Sequence, residues 1–340
     1  MKLSKKVVAM LLTGAMLVSA VGLTACGAGS EPVDNTGDQT VVSTVTDNQD
    51  AAAPVTVQAH VNGELVEMTY EKVPERVVSY AGFATEILLA LGVSDNIAGY
   101  AYQDNPVLPQ YEEAFNGLKA LANDPYTEPS AEITLAAEPD FYIGWAGSGT
   151  YTHEWCQKNN IPTYGLHCEK VGATIEDTYT DILNLGKIFK VEDRANQLVN
   201  EMKTNIAAVQ DRVKDQEPVT VFVCDVDSQD QAFTAGGGLI ADILEKAGGK
   251  NIVTDTDKNW TRISWEAVAQ ADPDWIVIDY YVGMEDYEGM KERLRNNPAT
   301  ANLDAVKNDK FIVLGLTDIS AGERIDDTVK LLADYFHPEN

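Results

Sequence analysis

Thr174-Ile-Glu-Asp-Thr-Tyr-Thr-Asp-Ile-Leu-Asn-Leu-Gly-Lys-Ile-Phe189, continued by Lys190 to Asp215, is the stretch on which the organisation of the chain turns. Thr174 followed by Asp177 has the form of a capping box that opens a helix. Apolar residues recur at Ile182, Leu185, Ile188 and Phe189. After a break near Val191–Asp193 they resume at Leu198, Met202, Ile206, Val209 and Val213. Steps of three and four residues place such side chains on one helical face, so 174–215 reads as a helical spine. The flanks of the spine share a pattern. Upstream, Glu86-Ile-Leu-Leu-Ala-Leu-Gly92 is followed by Glu132-Ile-Thr-Leu-Ala-Ala-Glu-Pro-Asp140 and apolar Phe141–Ile143. Downstream, Asp242-Ile-Leu-Glu-Lys-Ala-Gly248 is followed by Glu266-Ala-Val-Ala-Gln-Ala-Asp-Pro-Asp274 and apolar Trp275–Ile278. In each half the glutamate stands eight residues before the aspartate. Two similar lobes, 55–173 and 216–340, joined by a single long helix are expected.

Residues 55–72 read as a hairpin turning at Asn62-Gly63. Short apolar strands follow at Val77–Tyr80, Ile97–Tyr100, Phe141–Gly144 and Thr163–Leu166, and beyond the spine at Val219–Val223, Ile276–Ile278 and Lys310–Leu314. Helical stretches lie between them, among them Ala84–Leu91, stopped by Gly92, and Leu239–Ala247. Strands alternating with helices give an α/β fold, with a mostly parallel sheet flanked by helices in each lobe.

The N-terminus carries Lys2, Lys5 and Lys6, then an apolar run from Val7 to Leu23 that ends in Leu23-Thr-Ala-Cys-Gly27. That is the form of a secretory signal peptide over 1–25. Its end resembles the lipobox of bacterial lipoproteins, with Cys26 as the lipidated first residue; the alternative is an uncleaved membrane anchor. From Cys26 to Pro54 the chain is polar and lacks the apolar surface needed to fold, so it reads as a disordered tether. The folded part is then extracytoplasmic and held at the cell membrane by the lipid alone. A formal charge of −28 over 340 residues repels phosphate backbones and argues against nucleic acid as a partner. Cys156, Cys168 and Cys224 form neither a C-x-x-C pair nor an even set, which indicates free thiols and leaves a Cys156–Cys168 bridge open.

The motifs of catalysis are missing. His153-Glu154 lacks the second histidine of H-E-x-x-H, and Gly147-Ser-Gly149 has the wrong spacing for G-x-S-x-G. Gly236–Gly238 opens a helix without the Lys-Ser/Thr of a phosphate loop. The four histidines, 60, 153, 167 and 337, are scattered, which argues against a multi-histidine metal site. His167, beside Cys168 and Glu169, reads as a loop residue. What recurs is aromatic residues at strand ends: Tyr80, Tyr102, Trp145, Tyr280 and Tyr281. Ligands of open α/β sheets bind outside the carboxyl ends of the strands. Phe233 and Trp260 are expected in loops of the second lobe that face the same side. Together they suggest a cleft for a large, partly flat ligand.

Several of these pieces resemble one family. Pro74-Glu-Arg-Val-Val-Ser79 with Thr85-Glu-Ile-Leu-Leu-Ala-Leu-Gly92 is similar to the opening of the substrate-binding proteins of iron–siderophore, haem and vitamin B12 ABC importers. So are Pro139-Asp140, Pro273-Asp274, Gly248-Gly-Lys-Asn251, and Trp260 shortly before Ser264-Trp-Glu266. The resemblance covers about 70–337 and in spacing is nearest to vitamin B12 binders. It implies two α/β lobes on a helical linker, a monomer that is not an enzyme, and a metal chelate as ligand, a corrinoid or an iron–siderophore. The ligand would bring its own iron or cobalt, with no further cofactor. The family's cleft aromatics match Trp145, Phe233 and Trp260. Its permease-docking glutamates match Glu132 and Glu266. Arg262 and Asp318 complete the candidate ligand set with the tyrosines. This chain departs from the B12 binders at Thr317-Asp318-Ile319 and adds Tyr100, Tyr102, Tyr280 and Tyr281. Gly99-Tyr-Ala-Tyr-Gln-Asp-Asn-Pro106 resembles a branch with members assigned to a deazaflavin precursor. Haem, that precursor, and a two-lobed chelatase-like enzyme remain alternatives.

Overall fold

The computed structural model describes residues 53–123, 127–145, 149–227, 231–254, 256–282 and 287–339. The leader, Cys26 and nearly all of the expected tether lie outside them. The first lobe holds β1 (Val55–Val61), β2 (Glu64–Tyr70), β3 (Val77–Tyr80), α1 (Gly82–Ala90), β4 (Ile97–Tyr100), α2 (Glu112–Asn116), α3 (Ala131–Ala136), β5 (Phe141–Gly144) and α4 (His153–Lys158). Helices α5 (Ile175–Ile188) and α6 (Glu192–Val213) follow. The second lobe holds β6 (Val219–Asp227), β7 (Gln231–Ala235), α7 (Leu239–Lys246), β8 (Gly249–Asn251), β9 (Trp260–Ser264) and α8 (Trp265–Ala271). It ends with β10 (Trp275–Tyr280), α9 (Tyr287–Asn296), α10 (Asp304–Lys307), β11 (Phe311–Gly315) and α11 (Ile325–Phe336).

The β1–β2 hairpin turns where both Asn62 and Gly63 take positive φ, 51° and 85°, the requirement of a two-residue turn that matches strand twist. It is stitched to the lobe by Tyr70 Oη donating to Thr163 O at 2.7 Å and by Asn184 Nδ2 donating to Gln58 O at 3.0 Å. The first-lobe sheet runs β4-β3-β5, all parallel. The strand expected at Thr163–Leu166 is reduced to one parallel bridge between Tyr142 and Thr163. The second-lobe sheet runs β11-β10-β6-β7-β9, with β8 also on β6. Its β11, β10, β6 and β8 are parallel, while β7 and β9 are antiparallel additions.

The repeat in the sequence is a repeat in space. Ser130 and Ser264 cap α3 and α8 by accepting from Ile133 N and Ala267 N, so Glu132 and Glu266 occupy the same place in the first turn of each helix. Both are exposed. Each helix then ends on a left-handed residue, Glu138 (φ 49°) or Asp272 (φ 45°), just before the Pro-Asp pair. The aspartate ties the following strand to its neighbour. Asp140 accepts from Glu75 N and Arg76 N ahead of β3, and Asp274 from Thr220 N in β6. The Pro-Asp spacing is therefore a structural tie, local enough to be legible.

The spine is two helices. Asp177 Oδ2 accepts from Thr174 N at 2.8 Å, as the capping box requires. Lys190 takes φ 58° and Val191 N closes onto Gly186 O at 2.8 Å, which ends α5. The chain then doubles back, and the Glu176–Lys203 pair shows the antiparallel register. A side chain on Gly186 would collide with Ala195, so the helices cross closely there. The long linking helix expected between the lobes is α6, and the span 174–215 contains α5 in addition. Near its start Arg194 Nε donates to Ala90 O (2.8 Å), and farther along Asn205 and Arg212 bond Asp326 and Asp334 of α11.

A second seam joins the lobes away from α6. Asn105 donates to Tyr280 O and accepts from Thr317 N, both at 2.9 Å. Val282 N donates to Asp104 O, and Tyr111 Oη to Glu323 Oε2. At its centre Arg324 forks onto Glu86 (Nε–Oε2 2.7 Å, Nη2–Oε1 2.5 Å), and Nη1 reaches Asp318 at 2.9 Å. One apolar core runs without interruption from Val57 through α5 and α6 to Phe336.

Candidate functional site

Between the lobes lies a cleft of about 410 Å³. The carboxyl end of β5 delivers Trp145, which is 43% exposed and stands edge-on to Phe83 at 5.0 Å. On the second lobe, β7 and β9 pair so that Phe233 lies opposite Arg262 and Ala235 opposite Trp260. The Phe233 and Trp260 rings stack at 5.5 Å and 22° and present one flat wall. Phe233 and Trp260, expected in loops, are thus strand residues. The antiparallel ladder fixes both, a firmer mounting than a loop provides.

The rest of the cleft comes from residues the strand-end aromatics did not reveal. Asp225 belongs to β6, and Leu316, Ile319, Ser320 and Ala321 follow β11. Asp225 and Ser320 follow the same strand-end rule that singled out the tyrosines. Cys168 and Glu169 line the first-lobe side. No sequence signal marks them, but the structure explains their position. Asp181 of α5 accepts from His167 N (2.9 Å), Cys168 N (3.1 Å), His167 Nδ1 (2.9 Å) and Tyr164 Oη (2.8 Å). His167 is accordingly a buried anchor for the turn behind the cleft, and Cys168 is pushed well up by burial, with Asp181 adding to it. Cys156, Cys168 and Cys224 are thiols, so the Cys156–Cys168 bridge is not formed.

Behind the cleft the second-lobe strands end in acids. Asp279 of β10 is fully buried, and neither carboxylate oxygen has a hydrogen-bond partner among the described residues. Burial pushes its carboxyl well above the usual range, and the charges of Asp225, Asp104 and Asp318 push the same way. Among the described residues lining the cleft, none is Lys or Arg. No three His, Cys, Asp or Glu side chains gather in a metal-binding arrangement among the described residues.

The other candidate residues stand elsewhere. Arg262 is exposed and lies over the Phe233 ring, 5.0 Å from its centroid, outside the cleft lining. Tyr280 gives its carbonyl to the seam, accepting from Asn105, while its ring stands edge-on to Tyr287 at 5.8 Å; burial followed by the Asp225 charge holds the Tyr281 phenol above its ordinary range. Asp318 accepts from Gly315 N and Arg324 and fixes the turn after β11. Tyr80 is buried, its hydroxyl on Thr134 Oγ1 at 2.6 Å. With Tyr102 it lines a smaller chamber beyond Trp145. The cleft thus gathers Trp145, Phe233 and Trp260, and leaves Arg262, Tyr280, Tyr281 and Asp318 outside.

Comparison with known proteins agrees with this geometry. A family described as "Periplasmic binding protein" matches residues 77–316, well over half of the chain. The uncharacterized ABC transporter substrate-binding lipoprotein YvrC of Bacillus subtilis is 22% identical over 331 residues, 96% of each chain. A vitamin B12-binding protein of Yersinia pestis is 24% identical over 206 residues, 60% of this chain and 69% of its own. Among solved structures, a periplasmic binding protein from Veillonella parvula superposes with a TM-score of 0.77 at 28% identity. It covers 85% of this chain and 99% of its own.

Proposed function

Because the chain belongs to the periplasmic binding protein family, we propose that it is the lipid-anchored substrate-binding protein of an ABC importer and that it captures a metal chelate in the cleft. A protein of this family carries its solute, and the chain is a binding protein and not an enzyme. The observation that carries the ligand reading is Trp145 from one lobe facing the stacked Phe233–Trp260 pair from the other. Large rings on both walls suit a ligand with broad apolar faces, and burial against one such ring contributes about 1–3 kcal/mol. The charge around the cleft narrows the class. Glu169 and Asp225 line it, and no Lys or Arg lines it among the described residues. An anionic chelate such as haem or a catecholate complex meets no counter-charge there. A corrinoid, whose periphery is mostly neutral amide, fits best, with a neutral or cationic hydroxamate-type iron chelate next. The metal arrives inside the chelate.

Residues 1–25 act as the export leader, Cys26 as the acylated residue, and 26–54 as the tether that lets a monomer meet its permease. Glu132 and Glu266, exposed at equivalent helix starts, are the docking contacts for permease arginines. Titration of tryptophan fluorescence with cobalamin, a ferric hydroxamate, a ferric catecholate and haem, corrected for ligand absorbance, tests the reading. Cobalamin or the hydroxamate should quench at micromolar concentration. Trp145→Ala and Trp260→Ala should each weaken binding about 5- to 100-fold, and Arg262→Ala much less. If none of the four binds, or both tryptophan variants bind normally, the cleft assignment fails.

A further inference from the structure

Trp145 borders two cavities. Besides the cleft it lines a chamber of about 150 Å³, together with Tyr80, Tyr102, Tyr142, Tyr151, Glu128 and Gly149. The tyrosines brace one another, with Tyr80 edge-on to Tyr142 at 5.5 Å and to Tyr151 at 5.0 Å. The Tyr80 and Tyr151 hydroxyls are both engaged by Thr134, and Tyr151 also donates to Pro129 O. The Tyr102 and Tyr142 hydroxyls have no hydrogen-bond partner among the described residues. Glu128 stands at the rim, held by Thr150 N at 3.1 Å. Its charge, after burial, helps hold the Tyr102 phenol above its ordinary range. Tyr102 adopts φ 59°, left-handed backbone that a bulky residue takes up only at a cost and that is concentrated at ligand sites. The one charged side chain in the lining is the Glu128 carboxylate, beside phenol oxygens that can accept and ring faces that attract cations, with no Lys or Arg among the lining residues.

We propose that this tyrosine chamber is a second subsite that binds a protonated amine, carried as a pendant arm by the same ligand that fills the main cleft. An ammonium group can donate to the Glu128 carboxylate and to the Tyr102 and Tyr142 hydroxyls while its alkyl stem lies against the rings. Trp145, shared by both cavities, places the arm beside the chelate body. That the arm and chelate belong to one ligand rests on the cleft reading above; the ammonium preference of the chamber does not.

The test needs no chelate. n-Butylammonium and 1-butanol, nearly equal in shape, are titrated against the whole unliganded protein near neutral pH by saturation-transfer NMR. The ammonium should bind about tenfold more tightly than the alcohol. Glu128→Gln, on a half-buried side chain, should bring the ammonium down to the level of the alcohol, and Tyr102→Phe should weaken it severalfold, both with unchanged circular dichroism. Equal binding of the pair, or ammonium binding that ignores Glu128→Gln, overturns the proposal. Chelate binding that persists in that case leaves the cleft reading standing. Ammonium binding without any chelate binding refutes the cleft reading and keeps the chamber.

Discussion

Arg324→Met cuts the seam between the lobes at its most buried point. Arg324 is 9% exposed and Glu86, its partner across the lobes, 1%. The guanidinium donates twice to Glu86, once to Asp318 and once to Pro106 O. Its removal leaves Leu108 N, at 3.0 Å, as the remaining donor to the Glu86 carboxylate among the described residues. A buried pair broken from one side costs about 3–5 kcal/mol, because the remaining charge stays desolvated. With a urea m-value of about 3 kcal/mol/M for a fold of this size, the unfolding midpoint should fall by about 1–1.7 M. Glu86→Gln with Arg324→Met removes both charges, and the double variant should recover a large part of the loss. Urea titrations followed by far-UV circular dichroism give all four corners of the cycle. A single-variant loss below about 1 kcal/mol, the worth of a surface pair, would refute the seam. So would a double variant that loses the sum of the two singles.

Burial pushes the Glu323 carboxyl up to about 7, so the folded protein keeps a proton that the unfolded chain releases near pH 4.5. The stability this group contributes is present below that pH and is lost as pH rises to about 7, roughly 3 kcal/mol in all. Glu323→Gln should flatten the slope of unfolding free energy between pH 5 and 8, and an unchanged slope would assign it to other groups. Glu132→Lys with Glu266→Lys should abolish uptake in cells and leave ligand affinity nearly unchanged; a large loss of affinity with an intact fold would move these residues into the pocket. Cys26→Ala should release the protein from membranes without altering ligand binding, and membrane retention of the correctly processed variant would count against acylation at Cys26.

The parts of the fold that were legible are those set by neighbours in sequence. The Asn62-Gly63 turn, the capping box at Thr174 and the Glu…Pro-Asp repeat each close within about ten residues, so each leaves a readable trace. The seam leaves none: Arg324 and Glu86 are 238 residues apart, and either alone reads as a solvated helix charge. The β7–β9 pair falls between. Trp260, Arg262 and Ser264 alternate with Thr261 and Ile263 as a strand does, but the segment stands directly ahead of the helix from Trp265, where a connecting loop is the expectation.

For the cleft, the strand-end rule points to the carboxyl ends of the sheet, but only some of the aromatics there line the cavity, and the period of a strand explains why. Successive residues point to opposite faces, so an aromatic at a strand end is as apt to enter the core or the seam as the cleft. Tyr80 went into the core, and the Tyr280 ring stands edge-on to Tyr287 of α9, with only its carbonyl in the seam. Trp145 lies one residue beyond β5 and stays 43% exposed. Phe233 and Trp260 face the cleft because an antiparallel ladder, invisible to a rule about parallel strands, brings their rings into one stack. The same alternation puts Arg262 on the Trp260 face of β9, yet its guanidinium lies over the Phe233 ring, outside the cleft lining. What lines the cleft among the described residues is therefore apolar, neutral polar or acidic. A receptor for an anionic chelate would need the opposite charge on this wall.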